Sequence, residues 1–187
     1  MSASLYPTIH KAKSVKGRTL FFRDAELKDA DFILSLRADD RKSKYLNPVQ
    51  IDISSQLNYL KNYASARDQA YFIIEHSAKP VGTVRLYDAR DSSFCWGSWI
   101  LSDDAPKHAA IESTLMVYAY AIDVLGFRSA HFDVRKGNDR VLSYHERFGA
   151  HRVGETSEDY LFEIDNKAVH TARKRYIKFL PDAVSVN

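Results

Sequence analysis

Three stretches rich in β-branched and aromatic residues follow one another between residues 71 and 101, with no helical spacing between them. They are 71–75 (YFIIE), 81–87 (VGTVRLY) and 94–101 (FCWGSWIL). Such runs predict neighbouring strands, and the HSAKP turn between the first two predicts a hairpin. Because the apolar faces of a sheet must be covered, the rest of the chain has to supply the helices that pack on it.

Helical spacing is clearest over 106–125, which Gly126 follows where a helix C-cap is expected. Its apolar positions recur every three or four residues: Ile111, Leu115, Tyr118, Ala119, Ile122 and Leu125. The predicted order is a strand at 19–23, helices at 25–37 and 55–66, the three strands, this helix, a strand at 130–134, a helix within 134–150, strands near 151–154 and 160–164, and a helix at 167–179. This order predicts an α/β (α+β) fold in three layers with a mixed sheet.

The length of 187 residues and the 45% hydrophobic content predict one domain, over residues 19–180. Residues 1–18 are polar and aperiodic and predict a loose N-terminal leader. No apolar run approaches the roughly 20 residues that span a bilayer, so we expect no membrane partner.

The formal charge of +3 comes from 27 basic and 24 acidic residues that are mostly scattered, which argues against nucleic acid as the main partner. The basic segment 167–178 keeps a nucleic-acid-binding module open as an alternative. The single cysteine, Cys95, excludes an intramolecular disulfide and a two-cysteine metal site, so we expect a cytoplasmic protein without a metal.

The segment NDRVLSYHERFGA (138–150) predicts an amphipathic helix in which Val141, Tyr144, His145 and Phe148 share the buried face. A buried tyrosine or histidine either completes a hydrogen bond in the core or transfers a proton, and the spacing alone leaves both open. Asn138 precedes the helix, as an N-cap does.

This segment, together with VGTVRLYD and WGSWIL before the long helix, resembles the GCN5-related N-acetyltransferase (GNAT) superfamily over about residues 19–164. The similarity is to its branch of ribosomal-protein (RimJ/RimL-like) and amino-sugar acetyltransferases. The resemblance implies a GNAT-like three-layer fold with a mixed, mostly antiparallel central sheet flanked by helices. It also implies transfer of an acetyl or other acyl group from acetyl-CoA, as co-substrate, to a primary amine.

In the family, the start of the long helix binds the diphosphate of the donor, which places Lys107, His108, Ala109, Ala110, Ile111 and Glu112 in the cofactor-binding set. The family's glycines are missing here, and alanine is the least obstructive replacement. We expect the Glu112 carboxylate to point away from the phosphates or to face the acceptor amine. An ordinary buried helix, capped by Asp103 or Asp104 with Pro106 in its first turn, would look the same.

The resemblance also implies that the pantetheine arm enters a gap between the fourth and fifth strands, where Gly97 would start the distortion. The fourth strand would contact the thioester through the backbone of Trp99, Ile100 and Leu101. The Asn138 amide would contact the arm, and Arg140 and Lys136 are candidate phosphate contacts. The position of the family's tyrosine proton donor falls on His145, with Tyr144 beside it, so the catalytic candidates are Tyr144 and His145.

The acceptor site is expected across the gap, between the loop after the first helix, the hairpin and Trp96 or Trp99. Arg37, Arg41 and Lys44 could hold a phosphate there. The acceptor would be a small-molecule or peptide amine, either a nucleotide-linked amino sugar or the N-terminus of a protein. A degenerate GNAT-fold binding module that lacks donor binding is the alternative function. Exposed sheet edges are compatible with a homodimer.

Overall fold

A computed structural model describes residues 5–39, 44–45 and 52–187. In this part of the chain nine strands form one sheet: β1 (Ser14–Lys16), β2 (Leu20–Asp24), β3 (Ala70–His76), β4 (Lys79–Arg90), β5 (Ser93–Leu101), β6 (Ser129–Arg135), β7 (His151–Glu155), β8 (Asp159–Asp165) and β9 (Ser185–Val186). The helices are α1 (Ala30–Ala38), α2 (Ile53–Ser65), α3 (Ala109–Tyr118), α4 (Asp139–Phe148) and α5 (Asn166–Arg175). Short 3₁₀ turns at Leu27–Asp29 and Ile177–Phe179 adjoin α1 and α5.

The strand order is β7-β8-β6-β5-β4-β3-β2-β1-β9. Every pairing is antiparallel except that of β5 with β6, so the sheet is mixed and mostly antiparallel, as expected. Because side chains alternate along a strand, Phe72 and Ile74 of β3 join the larger core cluster beneath α3, whereas Tyr71 and Ile73 join the cluster beneath α1 and α2. The three-layer fold is confirmed.

The N-terminal segment differs from the predicted loose leader. Residues 14–16 form β1, which pairs with both β2 and β9, and Ile9, Ala12 and Val15 are buried. Isolated apolar residues in a polar stretch gave no periodic signal, yet the burial of these three side chains fixes the segment on the sheet. The leader prediction is therefore wrong for residues 9–16, and β9 extends the sheet beyond residue 180.

The long helix ends as predicted but begins later. It continues from α3 as a π-helical segment, Ala119–Val124, in which the Leu125 amide donates to the Tyr120 carbonyl at 3.0 Å. Gly126 follows with φ +87°, the left-handed conformation of a helix C-terminus. The N-cap is His108, and not Asp103 or Asp104, which the alternative interpretation as an ordinary buried helix had as the cap. No helix in the described ranges combines the length and apolar character needed to cross a membrane.

Candidate active site

The two parallel strands at the centre of the sheet separate after a short contact. β5 pairs with β6 only at Ser93, Phe94 and Cys95. Beyond Cys95 no described residue pairs with the edge of β5 that faces β6, so the backbone groups of this edge are available to a ligand. This gap lies where the resemblance places the entry of the pantetheine arm.

A bulge in β5 borders the gap. Arg85 is opposite Gly97 and Thr83 is opposite Ile100, so β5 has one residue more than β4 over this interval. The left-handed residue is Ser98, with φ +48°, rather than Gly97, and the Thr83 hydroxyl donates to the Ser98 carbonyl at 2.7 Å. Gly97 instead allows the Tyr87 side chain to approach the backbone closely, because a Cβ at position 97 would lie 3.0 Å from the Tyr87 hydroxyl. The distortion was predicted in the correct place with the wrong residue as its strained point.

A cavity of about 570 Å³ occupies the gap and is lined from both faces of the sheet. Elements β5, β6 and α4 contribute Trp96, Gly97, Ser98, Trp99, Phe132, Val134, Asn138, Val141 and His145. The α1 and α2 side contributes Arg37, Tyr45, Ser55, Gln56, Tyr59, Tyr71, Arg85 and Tyr87, while Asp133, Arg135 and Asp159 lie at the β6–β8 side. A cavity between two faces can bring two substrates into contact across the sheet.

His145 is the titratable side chain of α4 that lines this cavity. It is 5% exposed and lies among aromatic rings, with ring centroids 4.4 Å from Phe132 and 5.4 Å from Trp96. Burial lowers the His145 pKa to about 4, so the imidazole is neutral near pH 7. Its Nδ1 atom is buried and has no hydrogen-bond partner among the described residues. A neutral imidazole at a cavity wall can accept a proton.

Tyr144 has a different environment, although it is adjacent in sequence. Its hydroxyl donates to the Ala110 carbonyl at 3.0 Å and lies 2.9 Å from the Thr114 hydroxyl, and the residue does not line the cavity. Burial raises the Tyr144 pKa above its ordinary value. These contacts join α4 to the first turn of α3.

Asn138 lines the cavity at the start of α4. It caps the helix through its backbone carbonyl, which accepts from the amides of Val141 and Leu142 at 3.0 Å, whereas its side chain makes no cap hydrogen bond. The amide group thus remains available for a ligand. Arg140, on the same helix, is exposed and does not line the cavity.

The start of α3 lies outside the cavity. The Ala109 amide donates to the Pro106 carbonyl and the Glu112 amide to the His108 carbonyl, whereas the amides of Ala110 and Ile111 have no acceptor in the described part of the chain. Free amides at the positive end of a helix form an anion-binding position. Lys107, which precedes the helix, is exposed.

Glu112 is fully buried and points away from this position. Its carboxylate accepts from the Thr19 and Leu20 amides at 2.6 and 2.9 Å and from the Thr19 hydroxyl at 2.6 Å. His108 lies 2.7 Å from the same Thr19 hydroxyl. Glu112 therefore joins α3 to the start of β2. Its carboxylate points away from the start of α3, which is one of the two orientations expected from the sequence.

The opposite wall of the cavity belongs to the β3–β4 hairpin and the helices above it. Arg85 faces the α2 side, because it is opposite Tyr71 in the sheet and its Nη1 donates to the Tyr59 hydroxyl at 2.8 Å. Arg37, at the end of α1, also lines this wall. Of the other basic residues expected here, Arg41 lies outside the described residues, and Lys44 lies over the Tyr45 ring without lining the cavity.

Carboxylates complete the site beside β6. Asp159 pairs with Arg135 at 3.1 Å, whereas Asp133 forms no ion pair among the described residues. Partial burial, followed by the nearby charge of Asp159, raises the Asp133 pKa. An unpaired carboxylate in a cavity attracts a cation such as an ammonium group.

Comparisons with known proteins agree with this geometry. The family model described as an acetyltransferase (GNAT) domain matches residues 19–151. The chain belongs to the GNAT acetyltransferase family. No curated protein sequence gives a significant match. Among solved structures, the apo form of FdhC, described as a nucleotide-linked sugar GNAT, is 39% identical over 89% of this chain and 98% of its own, with a TM-score of 0.80.

More distant GNAT structures share the fold. A GCN5-related N-acetyltransferase from Brucella melitensis is 18% identical over 95% of this chain and 90% of its own, with a TM-score of 0.76. The spermidine/spermine N-acetyltransferase SpeG from Vibrio cholerae is 13% identical over 82% of this chain and 97% of its own, with a TM-score of 0.67.

Of the GNAT site residues expected from the sequence, Trp99, Asn138 and His145 line the cavity. Ile100, Leu101, Arg140, Tyr144 and residues 107–112 do not. Arg85, Tyr59 and Asp133 also line the cavity and were not among the residues expected there. Arg85 had a usable signal, because a charged residue inside the apolar run VGTVRLY needs either a partner or a ligand.

Proposed function

We propose that this GNAT protein transfers an acetyl group from acetyl-CoA to the primary amine of a nucleotide-linked amino sugar. The observation that carries the proposal is the cavity at the β5–β6 gap, in which a neutral His145 and a wall with two arginines meet. The similarity to FdhC, a nucleotide-linked sugar GNAT, supports this acceptor class over a protein N-terminus.

For the donor, the amides of Ala110 and Ile111 would bind the diphosphate, with Lys107 and His108 beside them. The pantetheine arm would lie in the gap against the free edge of β5, where the Asn138 amide can donate to it. A backbone N–H in the bulge at 98–100 would hydrogen-bond to the thioester oxygen and stabilise the charge that develops there.

For the reaction, Asp133 would hold the incoming ammonium group, which loses one proton to solvent before attack. His145, neutral in the free protein, would take a second proton from the nitrogen as the C–N bond forms. It would return that proton to the sulfur as the C–S bond breaks, so the products are an amide and free CoA. The lowered pKa keeps the imidazole neutral in the free protein; it also makes the imidazole a weaker base and the imidazolium a stronger acid, which favours return of the proton to the sulfur.

A titration separates the enzyme from a binding module that has lost its donor. We expect acetyl-CoA to raise the melting temperature at micromolar concentration, and free thiol to appear when a nucleotide-linked amino sugar is added. No stabilisation at millimolar acetyl-CoA would rule out the transferase. Donor binding followed by thiol release with peptide amines, and not with any nucleotide-linked amino sugar, would rule out the acceptor class alone.

A further inference from the structure

Arg85 is a cation at the wall of the cavity. It is half-buried in the middle of β4, and no Asp or Glu in the described ranges forms an ion pair with it. Two acidic residues line the same cavity: Asp159 pairs with Arg135, and Asp133 forms no ion pair with Arg85. Burying a charge is costly unless it is compensated, so this position favours an anionic ligand.

The guanidinium is held in place by neutral groups. Its Nη1 donates to the Tyr59 hydroxyl at 2.8 Å, and its Cζ lies over the Tyr87 ring, 4.2 Å from the ring centroid. Its Nε is buried and has no hydrogen-bond partner in the described part of the chain. A planar group fixed in this way leaves the two N–H donors of Nη2 and the second N–H of Nη1 for an anion, at little cost in side-chain entropy.

Arg37 lines the same wall of the cavity, on the α1 side. Two cations on one wall, with His145 on the other face of the sheet, suit a substrate with an amine at one end and phosphate at the other. Accordingly, we propose that Arg85, oriented by Tyr59 and Tyr87, binds the diphosphate of the acceptor and selects nucleotide-linked amines. This inference rests on the proposed function, and it assigns the acceptor's anion to a position separate from the donor diphosphate at α3.

The test is calorimetric titration of the full chain with uridine diphosphate, and separately with inorganic pyrophosphate, with and without saturating CoA. We expect both probes to bind whether or not CoA is present. Arg85→Gln should weaken binding of each by at least about tenfold, and Tyr59→Phe by about two- to fivefold. Arg90→Gln is the matched control, because Arg90 lies on the same strand but is exposed and paired with Asp88. The Arg90→Gln variant should bind both probes with the affinity of the wild type.

Two results would overturn the assignment: binding by Arg85→Gln within twofold of the wild type, or displacement of both probes by CoA, which would place them at the donor site. Tyr59→Phe keeps the test decisive if Arg85→Gln fails to fold, because an unchanged affinity in that variant also counts against the site. If the protein binds CoA but neither probe at millimolar concentration, the proposed Arg85 site is rejected and the acyltransferase proposal stands. If the protein binds the probes but not CoA, the transferase proposal is rejected and the proposed Arg85 site stands.

Discussion

Replacing His145 by phenylalanine should remove activity while leaving the protein as stable as the wild type or more stable. The imidazole lies among Phe132, Trp96 and Trp99, and its buried Nδ1 has no partner in the described ranges. An unsatisfied buried polar atom costs about 1–3 kcal/mol. Phenylalanine has a similar ring shape without that atom, and its greater volume offsets part of the gain. We therefore expect a free energy of unfolding at pH 7 that is unchanged or higher by about 1 kcal/mol.

The pH dependence of the free energy of unfolding is a second test of the environment of His145. The folded pKa of His145 is about 4, below the ordinary 6.5. As the pH falls below 6.5, His145 becomes protonated in the unfolded chain but stays neutral in the folded chain. Acid therefore favours unfolding. The contribution of His145 is fully present above pH 6.5 and is lost towards pH 4, with a decrease of about 2 kcal/mol between pH 7 and pH 5. The phenylalanine variant should lack this decrease.

Urea denaturation at pH 7 and pH 5 measures both quantities, and His151→Gln, at an exposed histidine, is the matched control that should keep the wild-type slope. Turnover, followed by thiol release, should fall about 10²- to 10⁴-fold in His145→Phe with little change in acetyl-CoA affinity. A variant that is destabilised by more than about 2 kcal/mol at pH 7, or that keeps the slope between pH 7 and pH 5, would show that the imidazole is hydrogen-bonded or charged in the folded state.

Three further perturbations test the neighbouring contacts. Glu112→Ala removes the acceptor of the Thr19 and Leu20 amides and should lower the free energy of unfolding by about 3–5 kcal/mol in urea denaturation, with a smaller loss in Glu112→Gln. Tyr144→Phe loses the bond to Ala110 and should cost about 1 kcal/mol in the same assay; a fall in turnover comparable to that of His145→Phe would show that the Tyr144 hydroxyl takes part in proton transfer. Gly149→Ala forces φ +102° on alanine and places its Cβ 3.1 Å from that of Ala168, so the melting temperature should fall by several degrees, corresponding to about 1–2 kcal/mol.

The elements that sequence analysis predicted well were those with a sustained period. The apolar positions of 106–125 and the strands of the hairpin are long enough for the pattern to determine the type of element, and their bounds differ from the structure by a few residues. β1 has only three residues, and its burial depends on contacts with β2 and β9 that no local pattern encodes. Short edge elements are therefore where local reasoning fails.

In the site, too, local patterns predicted some features, whereas others depend on tertiary contacts. Helical spacing placed both Tyr144 and His145 on the buried face of α4, but adjacent residues point about 100° apart on a helix, and of these two only His145 lines the cavity. The tertiary contact of Tyr144 with Ala110 decides which one does. The partner of Glu112 is likewise Thr19, 93 positions away in the sequence, and no spacing rule links the two. Spacing alone therefore left the direction of individual side chains undetermined.

The missing glycines at the start of α3 are compatible with donor binding for a reason visible in burial. Ala109 is fully buried, so its Cβ faces the core and not the side from which a phosphate would approach. Glu112 brings its charge to the start of β2, where three donors hold it, so the carboxylate is directed away from the free amides of Ala110 and Ile111. Glycine removes a Cβ that would obstruct a phosphate, and here the obstruction is limited to the partly exposed side chains of Ala110 and Ile111. The helix terminus can therefore retain its attraction for a diphosphate because two of the side chains that would oppose it are directed into the fold.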